Sequence, residues 1–208
     1  MVVERWARLC QALAILFVLS VGLSFVPINE GTPVAAAIVL LLQLLVHTLF
    51  AVTTHRVVLT GPDSVPTWGL NRWTQRETLF VLYLLGLSLI VVFTMGVATI
   101  LPPLLIAPVV VLVAIAFSSL SLVFPAVAIG EPMTLPAAWK LAEGHRLLMV
   151  ATVFLFPLLL AMPLVALAAL SMSVLGVLST ALQALITVFT ITALSVAYAE
   201  INRVEGAT

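Results

Sequence analysis

Apolar positions run along this chain in six long blocks, approximately Leu9–Ile28, Val34–Thr53, Thr78–Ile100, Pro102–Pro125, Leu147–Leu170 and Val174–Ala199. Each is long enough to cross a hydrocarbon core of about 30 Å as a helix rising 1.5 Å per residue. Polar positions gather in the gaps, and short gaps alternate with long ones. The short links are Asn29–Pro33, the Leu101-Pro102-Pro103 corner and Ser171–Ser173, with Glu30 their only charge. Links this brief force neighbouring helices into antiparallel hairpins. No charge separates Thr78 from Pro125, yet that run is too long for one crossing. Pro102-Pro103 breaks it by removing backbone donors and crowding the preceding turn. The pattern predicts an all-α, polytopic transmembrane helical bundle: one integral membrane domain, 1–208, with six transmembrane helices.

The long links carry the chemistry. Thr54–Glu77 contains the turn cluster Gly61-Pro62-Asp63-Ser64, followed by Trp68, Arg72, Trp73 and Arg76. Ala126–Arg146 contains Gly130-Glu131-Pro132, and helical spacing then returns at Leu135, Ala138, Trp139 and Ala142. That stripe predicts a short interfacial helix over 135–143. Thr134 suits its cap, Pro136 its first turn and Gly144 its exit.

Charge orients this arrangement. All eight Lys and Arg residues fall on one side of the six-block reading: Arg5, Arg8, Arg56, Arg72, Arg76, Lys140, Arg146 and Arg203. Flanking segments rich in Lys and Arg stay cytoplasmic, so both termini are expected inside. Trp6, Trp68, Trp73 and Trp139 fall on the same side. The outer turns are nearly bare.

Composition narrows the class further. The chain is 63% hydrophobic and 8% charged, far below the roughly one quarter charged residues of soluble domains. Eight acidic residues balance the eight basic ones, which argues against a nucleic-acid surface. The lone Cys10 cannot form an intrachain disulfide. The first block outruns a signal-peptide core of about 7–15 residues and lacks a small-x-small site, so an uncleaved helix is expected.

Candidate sites are few. Gln43 and His47, four residues apart, share a helix face. An ionisable group at membrane depth suggests a proton relay or substrate path, whereas an interhelical hydrogen bond is the packing alternative. Arg56, Trp68, Arg72, Trp73, Arg76, Trp139, Lys140 and Arg146 form the candidate cytoplasmic interaction surface. His55 joins Arg56 in a segment that would face headgroups or a partner, although orientation alone accounts for such charges. Pro108, Pro125, Pro157 and Pro163 mark broken helices of the kind that line transport sites, or ordinary kinks. No H-E-x-x-H, intramembrane carboxylate pair or glycine-rich phosphate loop occurs, so no enzyme, metal or cofactor is expected. Pairing the first three blocks with the last three matches Asn29–Pro33 to Ala126–Arg146, which argues against a simple inverted repeat.

Two stretches resemble a recurring pattern in six-helix bacterial inner-membrane proteins. One is His55-Arg56-Val57-Val58-Leu59-Thr60-Gly61 with Trp73-Thr74-Gln75-Arg76-Glu77-Thr78-Leu79-Phe80. The other runs from Leu120-Ser121-Leu122-Val123-Phe124-Pro125 through Gly130-Glu131-Pro132-Met133 to Ala138-Trp139-Lys140-Leu141. The second is similar, more distantly, to the membrane domain attached to some glycerophosphodiester phosphodiesterases. The resemblance covers roughly residues 50–150 and brings no catalytic residues. Ser118-Ser119 stand where that pattern would place an arginine. It implies an envelope protein of undefined function. Membrane lipids, and a protein partner or a second copy of the chain met through the cytoplasmic rim, are the expected partners, with no nucleic acid. The expected function is a non-enzymatic role in envelope homeostasis or as an accessory subunit. A small-solute or lipid-related transporter is the alternative.

Overall fold

The computed structural model describes residues 2–24, 26, 33–168 and 175–205. The turns expected at Asn29–Pro33 and Ser171–Ser173 lie outside them, apart from Pro33, as do the side chains of Arg5 and Trp6. Among the described residues the regular structure is all helical, with no strand. The helices are α1 (Val2–Ser24), α2 (Pro33–Thr60), α3 (Gln75–Ala98), α4 (Pro103–Leu120), α5 (Val123–Ile129), α6 (Leu135–Leu141), α7 (Arg146–Val150), α8 (Phe156–Ala168) and α9 (Leu175–Glu205). A 3-10 turn, Pro62–Ser64, follows α2, and a π-helical segment, Ala151–Leu155, joins α7 to α8.

Five of these stretches are long and apolar enough to cross a membrane: Pro33–Thr60, Gln75–Ala98, Pro103–Ile129, Arg146–Pro163 and Ala181–Glu205. The first helix adds a shorter apolar run, Ala7–Leu23. Most of this surface is not covered by protein. Leu89, Phe93, Leu104 and Val165 are all exposed, an arrangement that water would penalise and that lipid accepts.

Several boundaries differ from the sequence reading, and three of them matter for the fold. α2 continues seven residues beyond Thr53, to Thr60, so His55 and Arg56 belong to a helix rather than a loop. α9 likewise extends past Ala199 to Glu205. The fourth block is interrupted at Ser121-Leu122, and the seven-residue α5 follows as a separate helix.

That short helix is the centre of the fold. Every α5 residue from Val123 to Ala128 is buried, packed among α2, α3 and α9. Around it gather Val52, Phe80, Leu87, Met149, Leu194, Tyr198 and Ile201. The Phe80 and Phe124 rings meet at 4.9 Å. Gly130 ends α5 in the left-handed region (φ +85°), which lets the Glu131 amide return to the Ala126 carbonyl at 2.9 Å. A second cluster, Leu9, Leu13, Leu16, Phe50 and Val57, fastens α1 to α2.

Hydroxyl side chains inside the bundle bond mostly to their own helices. Thr48 donates to the Leu44 carbonyl, Thr54 to Phe50, Ser119 to Ile115 and Thr152 to Leu148. Such bonds meet the need for internal partners in an apolar medium.

Candidate functional site

The basic ends of the helices converge at one end of the bundle. Arg8 on α1 borders a small pocket with Asp63, in the turn after α2. His145, which precedes α7, lies 4.0 Å from Glu205 at the end of α9. This end, called the rim below, holds every described residue of the expected interaction surface.

One part of the rim is built on the α2–α3 link. Thr53 donates to the Gly69 carbonyl at 3.3 Å, and Asn71 Nδ2 donates to Thr53 Oγ1 at 2.9 Å. Arg56 donates to Asn71 Oδ1 at 3.4 Å. These bonds fold the link back on α2 and press Gly69 against α1. A Cβ at Gly69 would collide with the Ala12 carbonyl, and its φ of +67° is a glycine conformation. Sequence reasoning passed over Gly69, although a glycine between Trp68 and Leu70 marks a turn.

The start of α3 supplies the next part. The Thr74 amide donates to Glu77 Oε2 at 2.8 Å, and the Thr74 hydroxyl bonds to the same oxygen. Glu77 is fully buried, and Arg76 Nε lies 3.5 Å from its Oε1. The Arg76 Nε is itself buried without a hydrogen-bond acceptor. Arg56 stands within electrostatic range of both Arg76 and Glu77, so two guanidinium groups share one buried carboxylate. Trp73 Nε1 donates to Thr78 Oγ1 at 2.9 Å. Trp68, Trp73 and Arg72 are exposed, with 53% of Trp68 and 43% of Trp73 accessible.

The third part is α6 and its approach. Thr134 caps α6 by accepting from the Ala137 amide, and Gly144 (φ +87°) follows its last turn. The expected apolar stripe is there but faces inward. Ala138 and Ala142 are fully buried in the main core, and Leu135 packs against it. Hence α6 is docked on the bundle beside α4 rather than laid on the membrane by its stripe. Alanines at the contact allow that approach. Trp139 stays at the margin with the Arg146 guanidinium 4.7 Å from its ring centroid, and Lys140 is exposed.

Between the last two parts lies a cleft of about 690 Å³. Thr74, Gln75, Arg76, Leu79 and Tyr83 form one wall, and Val127 with Gly130–Thr134 forms the other. Tyr83 donates to the Met133 carbonyl at 3.1 Å and so joins the two walls. Glu131 accepts a hydrogen bond from the Tyr198 hydroxyl on α9.

The remaining candidates lie elsewhere. Gln43 is half-buried and His47 exposed, with His47 Nδ1 2.7 Å from the Gln43 backbone carbonyl. This is a contact within one helix. His55, expected on a surface, is instead fully buried. Its Nδ1 lies 2.7 Å from Ser195 Oγ, which donates to the Ile191 carbonyl at 2.8 Å. With the hydroxyl proton so committed, His55 is the donor and α2 is bonded to α9. Pro108 and Pro163 lie inside α4 and α8. Among the described residues, no three His, Cys, Asp or Glu side chains converge in a way that could hold a metal ion.

Comparison with protein-family models, characterised proteins and solved structures finds no match to this chain.

Proposed function

We propose that this chain is a non-enzymatic, six-crossing protein of a bacterial inner membrane, with both termini cytoplasmic. It acts through its rim as an accessory subunit or in envelope homeostasis. One observation carries this reading. The rim combines the buried core around α5 with exposed indole and guanidinium groups that the packing does not consume, notably Trp68, Arg72 and Trp73. Aromatic and arginine side chains left exposed on a rigid frame are the usual anchors of a protein contact. The one-sided basic residues support the cytoplasmic assignment, and the resemblance of residues 50–150 supports the envelope setting.

The transport alternative draws less support. A relay through Gln43 and His47 needs a polar path, whereas His47 is exposed on an apolar stretch and turned onto its own helix. Complementation separates the two readings. In cells lacking the protein, a Trp68→Ala/Arg72→Ala/Trp73→Ala variant of normal abundance should fail to restore the wild-type phenotype, whereas Gln43→Leu/His47→Leu should restore it. The reverse pattern would overturn the rim reading in favour of a transport path.

A further inference from the structure

The cleft at the rim holds two opposite charges that do not neutralise each other. Arg76 lines one wall and Glu131 the other. Among the described residues no ion pair joins them, since the Arg76 ion pair is made with Glu77. Each charge is backed from behind. The buried Glu77 takes up one positive charge of the Arg56–Arg76 pair and leaves one over on that wall, and the Tyr198 hydroxyl holds Glu131. Two fixed and separated charges of opposite sign match a ligand that carries both. The volume of about 690 Å³ falls within the range of about 300–1,000 Å³ usual for small-molecule sites.

The apolar part of the cleft says where such a ligand comes from. Leu79, Val127 and Met133 line it beside the charges. One turn further along α3, on the face Leu79 begins, Leu82 is 59% exposed, and Phe93 lower down is 71% exposed. Gly86 lies between them on that face, with open space where a side chain would be. Beyond the cleft, α3 therefore presents an exposed apolar face along the outside of the bundle.

We infer that this cleft binds the headgroup of a zwitterionic aminophospholipid of the phosphoethanolamine type, with the phosphate on Arg76, the ammonium on Glu131 and an acyl chain along α3. Charge-assisted hydrogen bonds at both ends would select this headgroup over an anionic one, which would meet Glu131 with no cation. The inference requires the helices to sit in a membrane. It does not depend on which compartment the rim faces or on a protein partner, so complementation by rim variants and lipid binding can fail separately.

Native mass spectrometry of the detergent-purified full chain tests it. Delipidated protein would be titrated with phosphatidylethanolamine, phosphatidylglycerol or soluble glycerophosphoethanolamine, with thermal stability measured alongside. Wild-type protein should retain phosphatidylethanolamine about tenfold better than phosphatidylglycerol, the factor expected from one charge-assisted contact. Arg76→Gln should lose both lipids. Glu131→Gln should keep phosphate binding and lose the preference. Gln75→Trp fills the cleft from an exposed position without touching the Arg76–Glu77 pair, and should displace the lipid at unchanged stability. Equal retention of the two lipids by wild-type protein would overturn the zwitterion assignment. Competition by glycerophosphoethanolamine as effective as by the lipid would overturn the lipid source. Retention of phosphatidylethanolamine by Gln75→Trp would place any binding outside this cleft and sink the proposal.

Discussion

Gly69 shows how one residue can join three segments. Its φ of +67° and its contact with the Ala12 carbonyl both require the absence of a Cβ. Gly130, with φ +85°, has the first requirement but open space around it. A non-glycine residue in such a conformation costs about 1–3 kcal/mol, and forced overpacking adds a similar amount. Gly69→Ala should therefore lower the melting temperature of the purified protein clearly more than Gly130→Ala does. Equal losses would mean that the link does not press on α1. His55 and Ser195 make a comparable pair across α2 and α9. Ser195→Ala leaves a buried imidazole N–H without its acceptor, at a cost of about 1–3 kcal/mol. A double-mutant cycle with His55→Phe should return a coupling of about 0.6–1.7 kcal/mol, the range measured for hydrogen bonds between membrane helices. Additive losses would show that the contact contributes nothing.

Helices α3 and α6 illustrate what a chain reveals about its elements and what it withholds. The sequence Thr74-Gln75-Arg76-Glu77 is a capping box, and the bonds at the start of α3 are those the motif predicts. The motif is legible in the sequence, but the basic and indole residues around it give the segment the look of a charged loop. The cap, first turn and exit of α6 were all readable from Thr134, Pro136 and Gly144. The direction of its stripe was not, since an apolar face fits a lipid surface and a helical neighbour equally well. What decides is size: Ala138 and Ala142 permit a close approach that larger residues would prevent. Ala138→Leu should accordingly destabilise the protein by about 1–3 kcal/mol through overpacking. Trp139→Ala removes an exposed ring and its contact with Arg146, worth about 0.5–1 kcal/mol. Thermal unfolding in detergent would rank the two. A larger loss from Trp139→Ala would return α6 to the membrane surface. The cleft was illegible for a related reason. Arg76 and Glu131 are 55 positions apart, and only the docking of α5 against α3 brings their surroundings together.

At the scale of the molecule, the hydropathy blocks anticipated an all-helical bundle, and the placement of Lys and Arg in the long links anticipated that the described basic residues gather at one end. Periodicity could not anticipate that the centre would be a buried seven-residue helix, because Val123–Ile129 continues an apolar run without a change in hydropathy. Side and crossing number rest on charge and require a separate test. The short gaps at Asn29–Pro33 and Ser171–Ser173 carry one acidic residue and no base, while all the basic residues lie in the other connections and flanks. If Lys and Arg hold their segments inside, cysteines placed at Asn29 and Ser173 in a Cys10→Ala background should react with an impermeant thiol reagent applied to intact cells. Cysteines at Ser64 and Ala207 should stay protected until the membrane is opened. α1 needs a probe of its own, because Asn29 is outside whenever α2 crosses and, among the described residues, α1 has the shortest apolar run: a cysteine at Val3 should stay protected like the one at Ser64. Labelling of the Val3 site from outside, with Ser64 protected, would leave five crossings, and labelling of Ser64 from outside would invert the bundle and put the rim in the wrong compartment for a cytoplasmic partner.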